Sequence, residues 1–126
     1  MPAAQGLVRN TSRVTHPQEQ RDFKTAEQWY LKSLAIKEKQ GNEHGAASTY
    51  GQLGIVAGLQ GGFKESGLWL TKCIKAFLNT NDLEDAKKAT RIFLVSYSQA
   101  PSAEHAKLRA IWEEAGLGPF PEKPNP

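Results

Sequence analysis

The chain is self-similar. Phe23-Lys-Thr-Ala-Glu-Gln-Trp-Tyr-Leu-Lys-Ser-Leu is followed, forty residues on, by Phe63-Lys-Glu-Ser-Gly-Leu-Trp-Leu-Thr-Lys-Cys-Ile. Phe23 falls on Phe63, Lys24 on Lys64, Trp29 on Trp69, Lys32 on Lys72 and Leu34 on Ile74. Self-similarity at such a period points to stacked units, each burying the face of its neighbour, rather than one closed core. That constraint outranks composition. It makes an interaction scaffold the expected working class.

Apolar positions recur at offsets 0, 4, 7, 8 and 11, the repeat of one helix face. They predict helices over about Lys24 to Gln40, Glu43 to Gln60, Lys64 to Leu78, Asp82 to Gln99 and Ala103 to Ala115. Asp22 or Thr25 can cap the first and Ser102 the fifth. Asn81-Asp-Leu-Glu84 reads as a cap with an acidic residue three positions on. Gly41 and Gly61-Gly62 supply the turns. Three glycines, Gly51, Gly54 and Gly58, fall in the second helix beyond its first turn, where each costs about 1 kcal/mol against alanine. A close helix approach explains Gly54, and lowering the floor of a groove is the remaining role for the other two. The fifth helix has Leu108, Ile111, Trp112 and Ala115 on one face and charged residues on the other, as a terminal cap requires.

Residues 1–20 are polar, with Pro2, Gly6 and Pro17 as breakers. A worn earlier repeat, a disordered lead, or a short helical start with Pro17 in the first turn all fit; the composition favours a mostly disordered lead. The repeat domain is expected over 21–116, with a proline-rich tail at 117–126.

The second helix, with Tyr50, Leu53, Gly54 and Ala57, and the third, with Ser66, Leu70 and Cys73, resemble the two helices of a tetratricopeptide repeat. Ala26, Tyr30 and Ser33 match the second helix of a preceding repeat. The usual period is 34. Forty residues is similar to the longer repeats of kinesin-light-chain-type and bacterial signalling arrays, and Ala26-Glu-Gln-Trp-Tyr-Leu-Lys-Ser-Leu-Ala-Ile-Lys-Glu is especially like the bacterial form. The likeness covers roughly Phe23 to Ala100, about two and a half repeats, and weakens at Thr90 and Leu94. It implies an all-α, right-handed α-α superhelix of helix-turn-helix repeats. Three or more repeats are normally needed for stability. The resemblance therefore implies either self-association or a C-terminal segment packed on further repeats of a longer array.

In that family a partner peptide or helix lies on the concave face, along the first helices. By register that face carries Ser48, Gln52, Ile55 and Leu59 on the second helix, and Lys88, Arg91, Ile92, Val95 and Gln99 on the fourth. Gln52 can donate to and accept from a peptide backbone. Lys88 and Arg91, three apart, can hold a carboxylate or serve as plain surface charges. The four aliphatics offer apolar contact, or are a packing face whose neighbour is missing. The family's Lys and Asn set for C-terminal carboxylates is not present, which argues against chaperone-tail binding.

Other classes fare poorly. His16, His44 and His105 lack metal-ligand spacing. No Gly-x-Ser-x-Gly occurs, nor a glycine-rich loop followed by Lys-Ser or Lys-Thr. Cys73, the single cysteine, sits on the apolar stripe as a small inert thiol and allows no internal disulfide. The three tryptophans read as inter-helix filler. Net charge is +3, with both signs mixed along the chain, too weak for a nucleic-acid surface. No apolar run is long enough for a signal peptide or a membrane span. The expectation is a cytoplasmic, non-enzymatic protein with no cofactor, no metal, and a protein or peptide as partner.

Overall fold

The computed structural model describes residues 17–121, with side chains from Asp22 onward. It is all-α: five helices and no strand among the described residues. They are α1 (Pro17–Lys39), α2 (Glu43–Leu59), α3 (Phe63–Asn79), α4 (Leu83–Gln99) and α5 (Ser102–Glu114). None is long and apolar enough to cross a membrane.

The forty-residue period is visible in the backbone. α2 and α4 begin and end forty residues apart, and α1 and α3 end forty apart. The turns that lead into α2 and α4 use one chemistry. Gly41 has φ +68° and Asn81, its equivalent, φ +62°. Glycine adopts this left-handed conformation freely, and Asn is among the few other residues that tolerate it. The next residue caps the new helix. Asn42 Oδ1 accepts from the Gly45 N–H at 2.9 Å, and Asp82 Oδ1 from the Asp85 N–H at 3.0 Å. Each satisfies a donor that would otherwise be left at the helix start.

α3 is the centre of the packing, against α2 on one side and α4 and α5 on the other. Leu70, Cys73, Ile74 and Phe77 join Ala86, Ala89 and Phe93 from α4 and Leu108, Ile111 and Trp112 from α5 in the main core. A smaller core holds Leu34, Ala46 and Leu53 between α1 and α2, with Tyr30, Tyr50 and Trp69 packed around it. The glycines of α2 explain how α2 and α3 come so close. A Cβ on Gly54 would stand 2.8 Å from Leu70 Cγ and 3.3 Å from the Ser66 carbonyl oxygen. One on Gly51 would meet Cys73 Sγ at 3.2 Å, and one on Gly58 would meet Ser66 Oγ at 3.3 Å. All three point toward α3, so one cause, the close approach of helices, accounts for the whole stripe.

Five local expectations are corrected. α1 starts at Pro17, where a proline fits because the first-turn N–H groups have no helical acceptor. Asp22 and Thr25 therefore lie inside the helix, past its first turn, and neither is its N-cap residue. The lead expected over 1–20 is helical from residue 17, and residues 1–16 lie outside those described. Pro101, not Ser102, occupies the N-cap of α5, with no side-chain bond closing it. Trp29 is not inter-helix filler: it is 64% exposed, with Lys32 Nζ 4.9 Å from its ring centroid. Finally, the stretch after Gly116 contributes to the core. Phe120 is buried against Phe93, Tyr97 and Trp112, and the Arg109 guanidinium lies 5.3 Å from its ring. Residues 122–126 lie outside the described part.

The tight α2–α3 approach yields the first prediction. Gly54→Ala gains helix propensity but drives a methyl into Leu70 and the α3 backbone, and should destabilise by ~1–3 kcal/mol. Gly58→Ala meets only a serine hydroxyl and should stay within roughly 1 kcal/mol of wild type. Urea denaturation of the two variants checks the order; equal stabilities would contradict the packing described.

Candidate functional site

α2 and α4 both pack on α3, yet they barely touch each other. Between them runs a trough whose floor is α3. One section, of about 210 Å³, is lined by Ser48, Gly51, Gln52 and Ile55 of α2, by Leu70, Cys73 and Phe77 of α3, and by Asp85, Lys88, Ala89 and Ile92 of α4. The other, of about 150 Å³, has Ile55, Gly58 and Leu59 facing Ile92, Val95, Ser96 and Gln99. Ile55 and Ile92 belong to both, so the two sections are continuous. Glycine matters here a second way, because a side chain at Gly51 or Gly58 would fill the trough.

The structure gathers Ser48, Gln52, Ile55, Lys88 and Ile92 around the first section. Leu59, Val95 and Gln99 join Ile55 and Ile92 around the second. Arg91 is exposed on α4 and lines neither. Lys88 is not a free cation: its Nζ lies 3.6 Å from Asp85 Oδ1, one helical turn back. At this exposed site the pair contributes little stability. It does give that wall a donor and an acceptor side by side. The aliphatics remain open to solvent, with Ile55 42% exposed, Leu59 64% and Val95 54%. Such a row of large apolar side chains along one trough is the usual mark of a contact surface.

Sequence reasoning missed Asp85 and the residues that close one end. His44 Nε2 and Asp82 Oδ2 are 2.8 Å apart, joining the first turn of α2 to the N-cap of α4. His44 also meets the Phe77 ring edge-on at 5.2 Å. The bond to His44, then the one from the Asp85 backbone N–H, hold the Asp82 carboxyl below the usual carboxylate range. The ligand-type atoms of His44, Asp82 and Asp85 lie within 4.8 Å of one another, the one such trio among the described residues. Their existing work is structural. Asp82 caps α4 with one oxygen and bonds His44 with the other, and the positive N-terminal ends of α2 and α4 both face this point. The arrangement is a clamp between α2 and α4. No sequence spacing signals it, because its halves are 38 residues apart.

The floor of the trough is chemically quiet. Burial, and secondarily the charge of Asp85, push the Cys73 thiol up to about 12, so it stays protonated near neutral pH and is no nucleophile. Beyond α2, Tyr50 stacks on Trp69 at 5.9 Å and donates to Glu38 Oε2 at 3.0 Å. Its phenol is raised, by burial first and then by Glu38. Beside it a polar hollow of about 320 Å³ opens at the α1–α2 turn, lined by Lys37, Glu38, Asn42 and Glu43.

No family model, no curated protein and no solved structure matches the chain.

The clamp gives a pH dependence. Asp82 is more acidic folded than unfolded, so it contributes stability above about pH 4 that is lost as pH falls through its lowered folded value. Asp82→Asn should lower the melting temperature at pH 6–7 and flatten its fall between roughly pH 5 and 2. Melting curves across that range, read by circular dichroism, check it. An unchanged acid limb would remove Asp82 from the clamp.

Proposed function

We propose that this protein is a short array of tetratricopeptide-like helix pairs, stacked with a right-handed sense. It acts as a non-catalytic protein–protein interaction module that holds a partner peptide or helix in the α2–α4 trough. The single observation that carries this reading is the composition and shape of the trough. Ile55, Leu59, Ile92 and Val95 offer solvent-exposed apolar contact on both walls. Gln52, Gln99 and the Asp85–Lys88 pair stand beside them with backbone-compatible donors and acceptors. This mixture suits an amphipathic segment with aliphatic anchors one turn apart, the helix-in-groove mode. Cys73, the thiol on the trough floor, is buried and stays protonated, in keeping with a non-catalytic role. The same proposal places the protein in the cytoplasm, in keeping with a single, buried cysteine.

A second reading is a structural segment of a longer array, or a self-associating module. What favours it is the open face of α1, where Trp29 and Ile36 are exposed.

The trough reading is tested by selecting binders from a displayed peptide library on the whole chain, then measuring their affinity for Ile55→Glu/Ile92→Glu. Both side chains are exposed, so the fold should survive, as circular dichroism can check. Losing two apolar anchors should weaken binding by roughly 10- to 100-fold. Peptides that bind the double variant as tightly as wild type, or a selection that yields none, would refute the reading.

A further inference from the structure

The lining of the α2–α4 trough repeats at seven residues. On α2, Ser48, Gly51 and Gln52 line the first section, and Ile55, Gly58 and Leu59, each seven residues on, line the second. On α4, Asp85, Lys88, Ala89 and Ile92 give way in the same step to Ile92, Val95, Ser96 and Gln99. The floor runs the other way. Leu70 and Cys73 of the first section are matched by Phe63 and Ser66 of the second, each seven residues earlier. α3 is joined to α2 and to α4 by short turns, and so lies antiparallel to both.

Seven residues are two helical turns, about 10.5 Å. The trough is thus two wells that far apart, with Ile55 and Ile92, common to both, as the ridge between them. Each well has a glycine on its wall. A Cβ on Gly51 would face Cys73 Sγ at 3.2 Å, and one on Gly58 would face Ser66 Oγ at 3.3 Å. The wells differ in size and floor. The first, of about 210 Å³, lies over Leu70, Cys73 and Phe77; the second, of about 150 Å³, over Phe63 and Ser66.

This spacing discriminates between occupants. Side chains on one face of an extended strand recur at about 6.6 and 13.2 Å, and neither falls on 10.5 Å. A polyproline II segment comes nearer, at about 9.3 Å for every third residue. A helix matches, because its side chains seven apart share a face and stay in step with heptad-spaced neighbours. Backbone chemistry points the same way. An extended or polyproline segment needs outside partners for its N–H and C=O groups, whereas a helix satisfies its own. The trough walls are themselves helices, whose backbone groups bond within each helix, and few polar side chains stand between them. Charge sets the character of the buried side. α2 carries no charged residue from Gly45 to Gln60, and Asp85 and Lys88 answer each other. The lining is complementary to an uncharged, apolar face.

We propose that the trough takes its partner as a helix with an uncharged face, anchored by two apolar side chains seven residues apart. The larger anchor enters the well beside Gly51 and the smaller the well beside Gly58. The turn between them lies across Ile55 and Ile92. Gly51 and Gly58 are then specificity-determining residues, since a side chain at either position takes the space of an anchor. This rests on the reading of the trough as a peptide-binding site, and adds the partner's conformation and spacing to it.

The test uses peptides selected on the whole chain that lose affinity for Ile55→Glu/Ile92→Glu. In an alanine scan of such a peptide, two positions seven apart should each cost about tenfold or more. Proline between them should abolish binding, because it breaks the helix. Gly51→Ala should weaken the peptide by roughly three- to tenfold and remove most of the cost of truncating one anchor, and Gly58→Ala should do the same for the other. The peptide scans need no variant of the protein, so they hold even where Gly51→Ala disturbs the fold. Dominant positions at other spacings, or a peptide that tolerates the proline, overturn the helical proposal and leave the trough reading in place. Anchors whose cost neither glycine variant alters overturn the assignment of the wells. Peptides that bind Ile55→Glu/Ile92→Glu as tightly as wild type overturn both readings.

Discussion

The rest of the structure depends on how closely α2 can approach α3. At Gly54 no side chain larger than hydrogen fits without moving Leu70 or the α3 backbone, and Gly51 and Gly58 extend the same contact along the helix. Three glycines in the middle of a helix are a standing loss of helix propensity. Dense packing against Ser66, Leu70 and Cys73 offsets it. With α2 seated there, Leu53 and Ala46 turn toward α1, and Ser48, Gln52, Ile55 and Leu59 are left facing α4 across a gap. The trough is a consequence of the glycine contact: α2 and α4 are each held by α3 and only lightly by one another.

The two halves of the chain solve the same problem with different residues. At the turn, Gly41 in one unit is Asn81 in the other, and the cap is Asn42 in one and Asp82 in the other. Asp82 also has His44 within reach of its second oxygen, and bonds it across the mouth of the trough. The packing diverges too. Where α2 sits on α3 through glycines, α4 sits on α3 through Ala86, Ala89 and Phe93 and leans on α5 and Phe120. The repeat thus preserves helix length and turn geometry while its side-chain contacts drift. This is expected where each unit answers only to its immediate neighbours.

That division also explains what could be read from the residues in order. The boundaries of α2, α3 and α4 follow from apolar spacing and turn residues, both local properties, and the structure has them within a residue or so of the expected places. The residues facing the trough follow from helix register alone, which is why most of them stand together in space. Phe120 was invisible because a single aromatic among glycines and prolines has no period. The helical start at Pro17 was one of three readings the sequence left open, because proline is a breaker within a helix but acceptable at its first position. His44 and Asp82 have no sequence relation that would pair them, and Asp85 had no spacing or motif that singled it out.

Trp29 is the most informative departure, because the sequence argument that placed it was sound and its conclusion did not hold. Its repeat partner Trp69 is packed, and equivalence predicts the same for Trp29. Equivalence holds, though, only where the neighbouring element exists. The indole at position 69 is partly covered because Tyr50 lies across it; nothing among the described residues does this for position 29. A repeat therefore transmits the shape of a surface along a chain without supplying its occupant. An end unit displays the contact face that interior units conceal. An exposed apolar stripe on α1 and a charged outer face on α5 give this short stack two unlike ends.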